Sequence, residues 1–316
     1  MKKQYKVLAG LLFLIILAGL CTLGCYPPAD SKEFDNKGIA VEKSQDGEAV
    51  KATGSSSIEA PTDLALLIRG DGIEAEQLIN LRELGSKPGA SFQHIYSTVN
   101  NWPLPRFYAA HGINLHSILE QAGVLNTAQV ISFVSSDGYQ ASFTREQLLD
   151  TQRYYYPQVA QGSEKGAEPV EPIIAYAYRE ASTELEEAEL NVPCLIFGQK
   201  NPSEYTNPAF VVKVKEIVVS SQEALTWERA STFPLPGKIA RGESVKLEHK
   251  YLGRVKLYYT LDGTDPTELS SLYNVSTYQP ELNVPISINE DTLIKVLVTG
   301  YGQKDSPISS FFFQVQ

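Results

Sequence analysis

The chain has 316 residues, 43% hydrophobic and 20% charged, the balance of a globular protein with room for two domains. A formal net charge of −10 argues against nucleic acid or an anionic membrane surface as a partner. Three cysteines and four histidines form no zinc-type cluster, and a single methionine rules out a methionine-rich groove.

Taken in order, the chain opens on a basic segment, Lys2, Lys3 and Lys6, followed by the apolar run Val7 to Leu20 and then Cys25. This is the layout of an export signal over residues 1–25. Thr22-Leu23-Gly24-Cys25 resembles a bacterial lipoprotein cleavage site, which implies lipidation of Cys25. An uncleaved signal anchor is one alternative, although the run is short for a bilayer needing about 20 residues, and ordinary secretion is another. All three put the body outside the cytoplasm, and the expected reading anchors it to the cell membrane. Residues 26–60 are polar and lack apolar periodicity, so they read as a flexible tether. Cys21 and Cys25 belong to the signal, which leaves Cys194 alone in the body, in an apolar run that fits a core position.

The body of residues 61–219 mixes α and β signals. Leu64 to Ile68 is a strand candidate, and Ala75 to Leu84 reads as a short helix with Leu78 and Leu81 or Leu84 on one side. Asn114 caps a helix whose face carries Leu115, Ile118, Leu119 and Ala122, and Gly123 stops it. Gln129 to Ser135 and Tyr139 to Phe143 are strands joined at Asp137-Gly138, a turn in which both central positions are expected at φ > 0. Thr144 and Gln147 have capping-box spacing. Tyr154-Tyr155-Tyr156 and Pro172 to Tyr178 are further β candidates. The acidic run Glu184 to Glu189 reads as a solvated face.

Several of these pieces occur in a telling order: Gly112-Ile113-Asn114-Leu115, then Ala122-Gly123, then Ser136-Asp137-Gly138-Tyr139. Val192-Pro193-Cys194-Leu195-Ile196-Phe197-Gly198 and Phe210 to Ile217 follow. Together they resemble the molybdopterin-binding domain of sulfite-oxidase-like oxidoreductases, over about Leu64 to Val219. The resemblance implies a mixed α/β domain, and a metal-ligating Cys at the register of Ser97-Thr98-Val99-Asn100. Ser97 stands where that thiolate belongs, and a serine hydroxyl is a poorer donor to a soft-ligand metal. Arg106 and Arg153 are the nearby basic residues for a pterin phosphate. A polar pocket at that register would be lined by Ser97, Asn100, His111 and Tyr139.

Residues 220–236, with Trp227 and Pro234-Leu235-Pro236, read as a linker. Beyond it, over 237–316, short β runs alternate with turns: Ser244 to Glu248, Arg254 to Leu261, Thr292 to Thr299 and Ser310 to Val315. That spacing suits an antiparallel β-sandwich. The run Leu257-Tyr258-Tyr259-Thr260-Leu261-Asp262-Gly263-Thr264-Asp265-Pro266-Thr267 resembles the C-terminal sandwich domain of chitobiase and β-hexosaminidase proteins. Asp262 and Asp265 sit in its turn and suit Asx hydrogen bonds, not a glycosidase acid/base pair. The expected fold class is therefore α+β, a sulfite-oxidase-like domain followed by a small sandwich.

His111 and His116 are five residues apart and miss the helical spacing of a metal pair. No nucleophile elbow, phosphate loop or dinucleotide fingerprint occurs. The sequence points to an extracytoplasmic, membrane-tethered binding or scaffold body rather than an enzyme, with no cofactor expected. Two alternatives stand beside it. One is a molybdopterin-dependent oxidoreductase; the other is a cell-envelope protein that binds cell-wall glycan.

Overall fold

The computed structural model describes residues 58–316. The export signal, Cys25 and nearly all of the 26–60 tether lie outside the described residues. What is described falls within one compact unit.

Its N-terminal part contains β1 (Ala65–Arg69), β2 (Gln77–Asn80), α1 (Leu81–Gly85), β3 (Ser91–Val99), β4 (Pro105–Asn114) and α2 (Leu115–Gln121). After these come β5 (Val130–Ser135), β6 (Gln140–Thr144), β7 (Arg153–Tyr155), β8 (Glu168–Val170), β9 (Ile173–Glu180), β10 (Glu189–Ile196), β11 (Val211–Val212) and β12 (Val214–Ser220). Two five-stranded sheets result, ordered β2-β1-β12-β5-β6 and β11-β10-β9-β4-β3, with β7-β8 as a separate pair. They share one core that includes Leu66, Ile68, Ile131, Phe133, Ile174 and Leu195.

The C-terminal part contains β13 (Ser231–Phe233), β14 (Gly237–Ile239), β15 (Glu243–Glu248), β16 (Lys256–Thr260), β17 (Ser271–Leu272), β18 (Ile286–Ile288), β19 (Thr292–Thr299) and β20 (Ser309–Val315). They form a three-stranded sheet, β13-β15-β18, and a five-stranded sheet, β14-β20-β19-β16-β17. Alternate residues supply a second core: Val245 and Leu247 from β15, Ile286 and Ile288 from β18, Ile294, Val296 and Val298 from β19. That period-2 burial is the mark of a sheet with one wet face.

The α+β expectation is overturned: the described residues are predominantly β. The two α-helices span five and seven residues, and the remaining helical pieces are single 3-10 or π turns. The segment 75–84 shows why. Its first half is edge strand, β2, paired with β1. There Leu78 is exposed while Ile79 is buried, an alternation that a four-residue strand shares with the start of a helix. Only from Asn80 does the helix begin, with its Oδ1 accepting from the N–H groups of Arg82 and Glu83.

Other local signals act as expected. Asn114 Oδ1 accepts from His116 N–H at 2.8 Å, and Leu115, Ile118 and Leu119 face the core. Gly112, just before that helix, lies at the β-bulge between β4 and β9. A Cβ there would meet the Ile174 carbonyl oxygen at 2.6 Å, so only glycine fits. The β5–β6 turn differs in type. Gly138 has φ +89°, but Asp137 is not among the positive-φ residues. Gly138 N–H donates to the Ser135 carbonyl and Ser135 N–H to the Tyr139 carbonyl. This is a three-residue loop, a type I turn closed by a left-handed glycine.

Candidate functional site

The two parts meet through Gln147, whose place was set locally. The capping box forms: Gln147 N–H donates to Thr144 Oγ1 at 3.1 Å, and Thr144 N–H to Gln147 Oε1 at 3.0 Å. The same side chain reaches the sandwich. Its Nε2 donates to the carbonyls of Gly300 and Gln303 at 2.9 and 3.0 Å, and its Oε1 accepts from Gly302 N–H at 2.9 Å. All four hydrogen-bonding positions of the amide are thus filled.

Tyr301, from the β19–β20 loop, enters the other core. Its ring packs 5.1 Å from that of Phe143 and 5.8 Å from that of Phe197. Its hydroxyl donates to Glu204 Oε1 at 2.9 Å. Glu204 in turn pairs with Arg153, 2.8 Å away and 1% exposed, whose guanidinium also lies over the Phe197 ring. Burial alone would raise the Glu204 carboxyl, but Arg153 and Lys200 hold it below the usual carboxylate range. Burial, reinforced by Glu204, pushes the Tyr301 phenol far above its ordinary value.

Beside this joint opens a cleft of about 1130 Å³, with walls from both parts. Lys200 and Glu268 form an ion pair across it at 2.6 Å. Lys256, on β16, holds its ammonium 3.7 Å from the Tyr205 ring centroid and donates to the Asn274 carbonyl at 3.3 Å. Loss of water pulls the Lys256 ammonium down to about 8. Asp305 also lines the cleft. Asp305 is exposed overall; partial loss of water around its carboxyl, then repulsion from Glu268, raises it to about 6. At one rim, Trp102 stacks on Tyr278 with centroids 5.4 Å apart, and Ser276 Oγ donates to the Asn101 carbonyl at 2.7 Å.

The four residues expected to share a pocket are dispersed. Ser97 is fully buried on β3; its hydroxyl donates to Gln199 Oε1 at 2.7 Å and accepts from Tyr156 N–H at 2.8 Å. Asn100 caps the next turn, accepting from the N–H groups of Trp102 and Leu104. His111 is buried on β4, with Nε2 3.3 Å from the Leu185 carbonyl oxygen. Its cross-strand partner is Gln93, four residues from Ser97 along β3 and so roughly 13 Å away. Tyr139, 49% exposed at the β5–β6 turn, lines the large cleft; the other three do not.

The residues present do not fit a molybdenum–pterin group. Ser97 Oγ is fully buried, giving its proton to Gln199 Oε1 and one lone pair to Tyr156 N–H, so its remaining lone pair faces no open space where a metal could sit. Arg153, expected near a phosphate, is enclosed with Glu204. Cys194 is buried on β10, and burial pushes its thiol up to about 12, so it is an inert core residue. Among the described residues no group of three or more His, Cys, Asp or Glu side chains is placed to hold a metal ion. Asp262 and Asp265 take turn and surface roles: Asp262 Oδ1 accepts from Thr264 N–H and hydroxyl, and Asp265 pairs with Lys295.

Sequence reasoning missed the cleft and its charged groups. Lys200, Glu204, Lys256, Glu268 and Asp305 are spread over more than a hundred residues, and no spacing rule joins them. One signal lay in the β run Arg254 to Leu261, where Lys256 immediately precedes Leu257-Tyr258-Tyr259.

Residues 245–313 match the family model described as Fn3 associated. No curated protein matches the chain. Among solved structures the chain is similar to one titled as the crystal structure of the sulfane dehydrogenase SoxCD from Paracoccus pantotrophus. The match covers 80% of this chain and 71% of that one, with 12% identity and a TM-score of 0.30. At that TM-score the likeness carries no argument about fold or activity.

Proposed function

We propose that the protein is a non-catalytic binding body of the cell envelope, held at the membrane through Cys25. Its cleft between the mixed-sheet part and the sandwich is the binding site. The observation that carries the non-catalytic half is the closure of Ser97. The sequence motifs from Gly112 to Gly198 resemble a molybdopterin-binding domain, and the residue at the metal-ligating register is a buried tie between β3, Gln199 and Tyr156. To ligate a metal as an alkoxide this hydroxyl would give up its proton and with it the bond to Gln199, leaving a buried partner unsatisfied at about 1–3 kcal/mol. Support for the envelope comes from the basic start, the short apolar run and Gly24-Cys25. The test is elemental and pterin analysis of protein purified from a host that makes the cofactor. Molybdenum and pterin far below one per chain are expected. Stoichiometric amounts of both would overturn this reading and give the chain to the oxidoreductases.

A further inference from the structure

Lys256 and Tyr258 are alternate residues of β16, so their side chains share one face of the strand, about 7 Å apart at the backbone. Val255, Leu257 and Tyr259, on the intervening positions, pack into the sandwich core. Lys256 and Tyr258 both line the cleft. The protein satisfies neither of them. The Lys256 ammonium has three donors and makes one long bond, 3.3 Å to the Asn274 carbonyl. Among the described residues no carboxylate lies within ion-pair distance of it, whereas the other cleft lysine, Lys200, is paired with Glu268. The Tyr258 hydroxyl, on a residue only 7% exposed, has no hydrogen-bond partner among the described residues. Groups that join the two parts behave differently. Gln147 fills all four positions of its amide, and the Tyr301 hydroxyl is taken by Glu204. Structural contacts at this joint are completed, while the two donors on β16 stay open toward the cleft.

From this arrangement we infer that the cleft takes a monocarboxylic acid, its carboxylate bound by the Lys256 ammonium and its body by the Tyr258 hydroxyl. The inference rests on the binding-body reading above and specifies its ligand. Open donors select an acceptor, and one uncompensated cation selects one negative charge. A second charge on the ligand would meet the acids gathered around Tyr258. Burial first, then the charges of Glu268, Glu204 and Asp305, push that phenol up, whereas Lys256 feels burial alone. The Tyr205 ring, 3.7 Å from the Lys256 ammonium, holds it in place without neutralising it. An ion pair formed at this half-buried ammonium is stronger than one in open water. A volume of about 1130 Å³ leaves room for the body of the acid.

The probes are three acids of different skeleton, octanoate, methyl glucuronoside and N-acetyl-alanylalanine, each matched with its own primary amide. Binding to the purified folded chain is read by ligand-observed NMR titration at pH 7. At least one acid is expected to bind about tenfold more tightly than its amide, and the tightest of the three identifies the skeleton. Lys256→Met, which keeps the side-chain stem over Tyr205, should bring acid and amide to equal affinity. Tyr258→Phe should weaken acid and amide alike by about fivefold, the loss of one hydrogen bond, and leave the preference between them intact. It should also keep the thermal unfolding midpoint of the wild type, because the hydroxyl has no protein partner to lose. Replacing the carboxylate of the preferred acid by a phosphate monoester should weaken binding. No acid preferred over its amide, a preference that survives Lys256→Met, or a phosphate bound more tightly than its carboxylate would each overturn the inference. The first of these is read on the wild type and stands whether or not a variant folds. A neutral chito-oligosaccharide held in the cleft, with none of the acids bound, would overturn it and leave the binding-body reading in place. That reading fails separately, on molybdenum and pterin content.

Discussion

Tyr301, Glu204 and Arg153 form one buried group in which each member satisfies another. Arg153 and Glu204 are buried together, and removing one member of such a pair strands the other. Glu204→Gln is expected to cost about 3–5 kcal/mol at neutral pH, read by urea unfolding. The pH dependence has a definite sign. The Glu204 carboxyl is lowered in the folded protein from an ordinary value of 4.5. Its contribution is therefore complete above that value and is lost as pH falls through the lower folded one. Wild-type stability should drop across that acid window, and the Glu204→Gln variant should show a shallower drop. Equal slopes would mean that other carboxylates dominate acid unfolding.

At the scale of elements, the helix of Leu115–Gln121 offers the cleanest test. Its cap is one hydrogen bond, Asn114 Oδ1 to His116 N–H, and Asn114→Ala should cost about 1 kcal/mol in the same measurement. That cap, the Thr144–Gln147 box, the strands β5, β9, β16 and β19, and the buried Cys194 were all readable in the sequence, because each is encoded within a few neighbouring residues, whereas the run Phe210 to Ile217, expected as one strand, is split at Lys213 into β11 and β12 of different sheets. The limits of such reading appear at the same elements. Ala75 to Leu84 read as helix because Leu78, Leu81 and Leu84 share helical spacing, yet pairing with β1 made its first half a strand. The turn at Asp137-Gly138 was placed correctly and typed wrongly, since loop length is set by which residues pair across it. The pocket expected at Ser97, Asn100, His111 and Tyr139 followed a family register. In the structure the first and third sit far apart on strands of one sheet, and the fourth lies on another. Gln147 is the sharpest instance: three residues of sequence predict its cap, and nothing local predicts its bonds to Gly300, Gly302 and Gln303, some 150 residues away.

For the molecule as a whole, the open question is where it works. The reading proposed above puts its body beyond the cytoplasmic membrane, with Cys25 as the anchor. Cys25→Ala in the full chain is expected to leave the precursor unprocessed or to release the protein from the membrane fraction on cell fractionation. Unchanged processing and unchanged membrane attachment would favour an uncleaved signal anchor. Neither outcome alters the described body, whose two cores are joined by Gln147 and Tyr301 and whose cleft lies beside that joint.

The insertion of Tyr301 between Phe143 and Phe197 also has a bearing on biogenesis. A chain is made from its first residue onward. When residue 220 has emerged, both five-stranded sheets of the N-terminal part have all their strands, but the slot beside Phe143 and Phe197 is still empty. Some eighty more residues must follow before the tyrosine that fills it arrives. Through that interval the nascent body presents an aromatic recess and the Glu204 carboxylate to water, and to any chaperone at the exit. A chain that stops in the sandwich would keep that recess open permanently, so quality control could recognise a missing C-terminus by a defect in the other half.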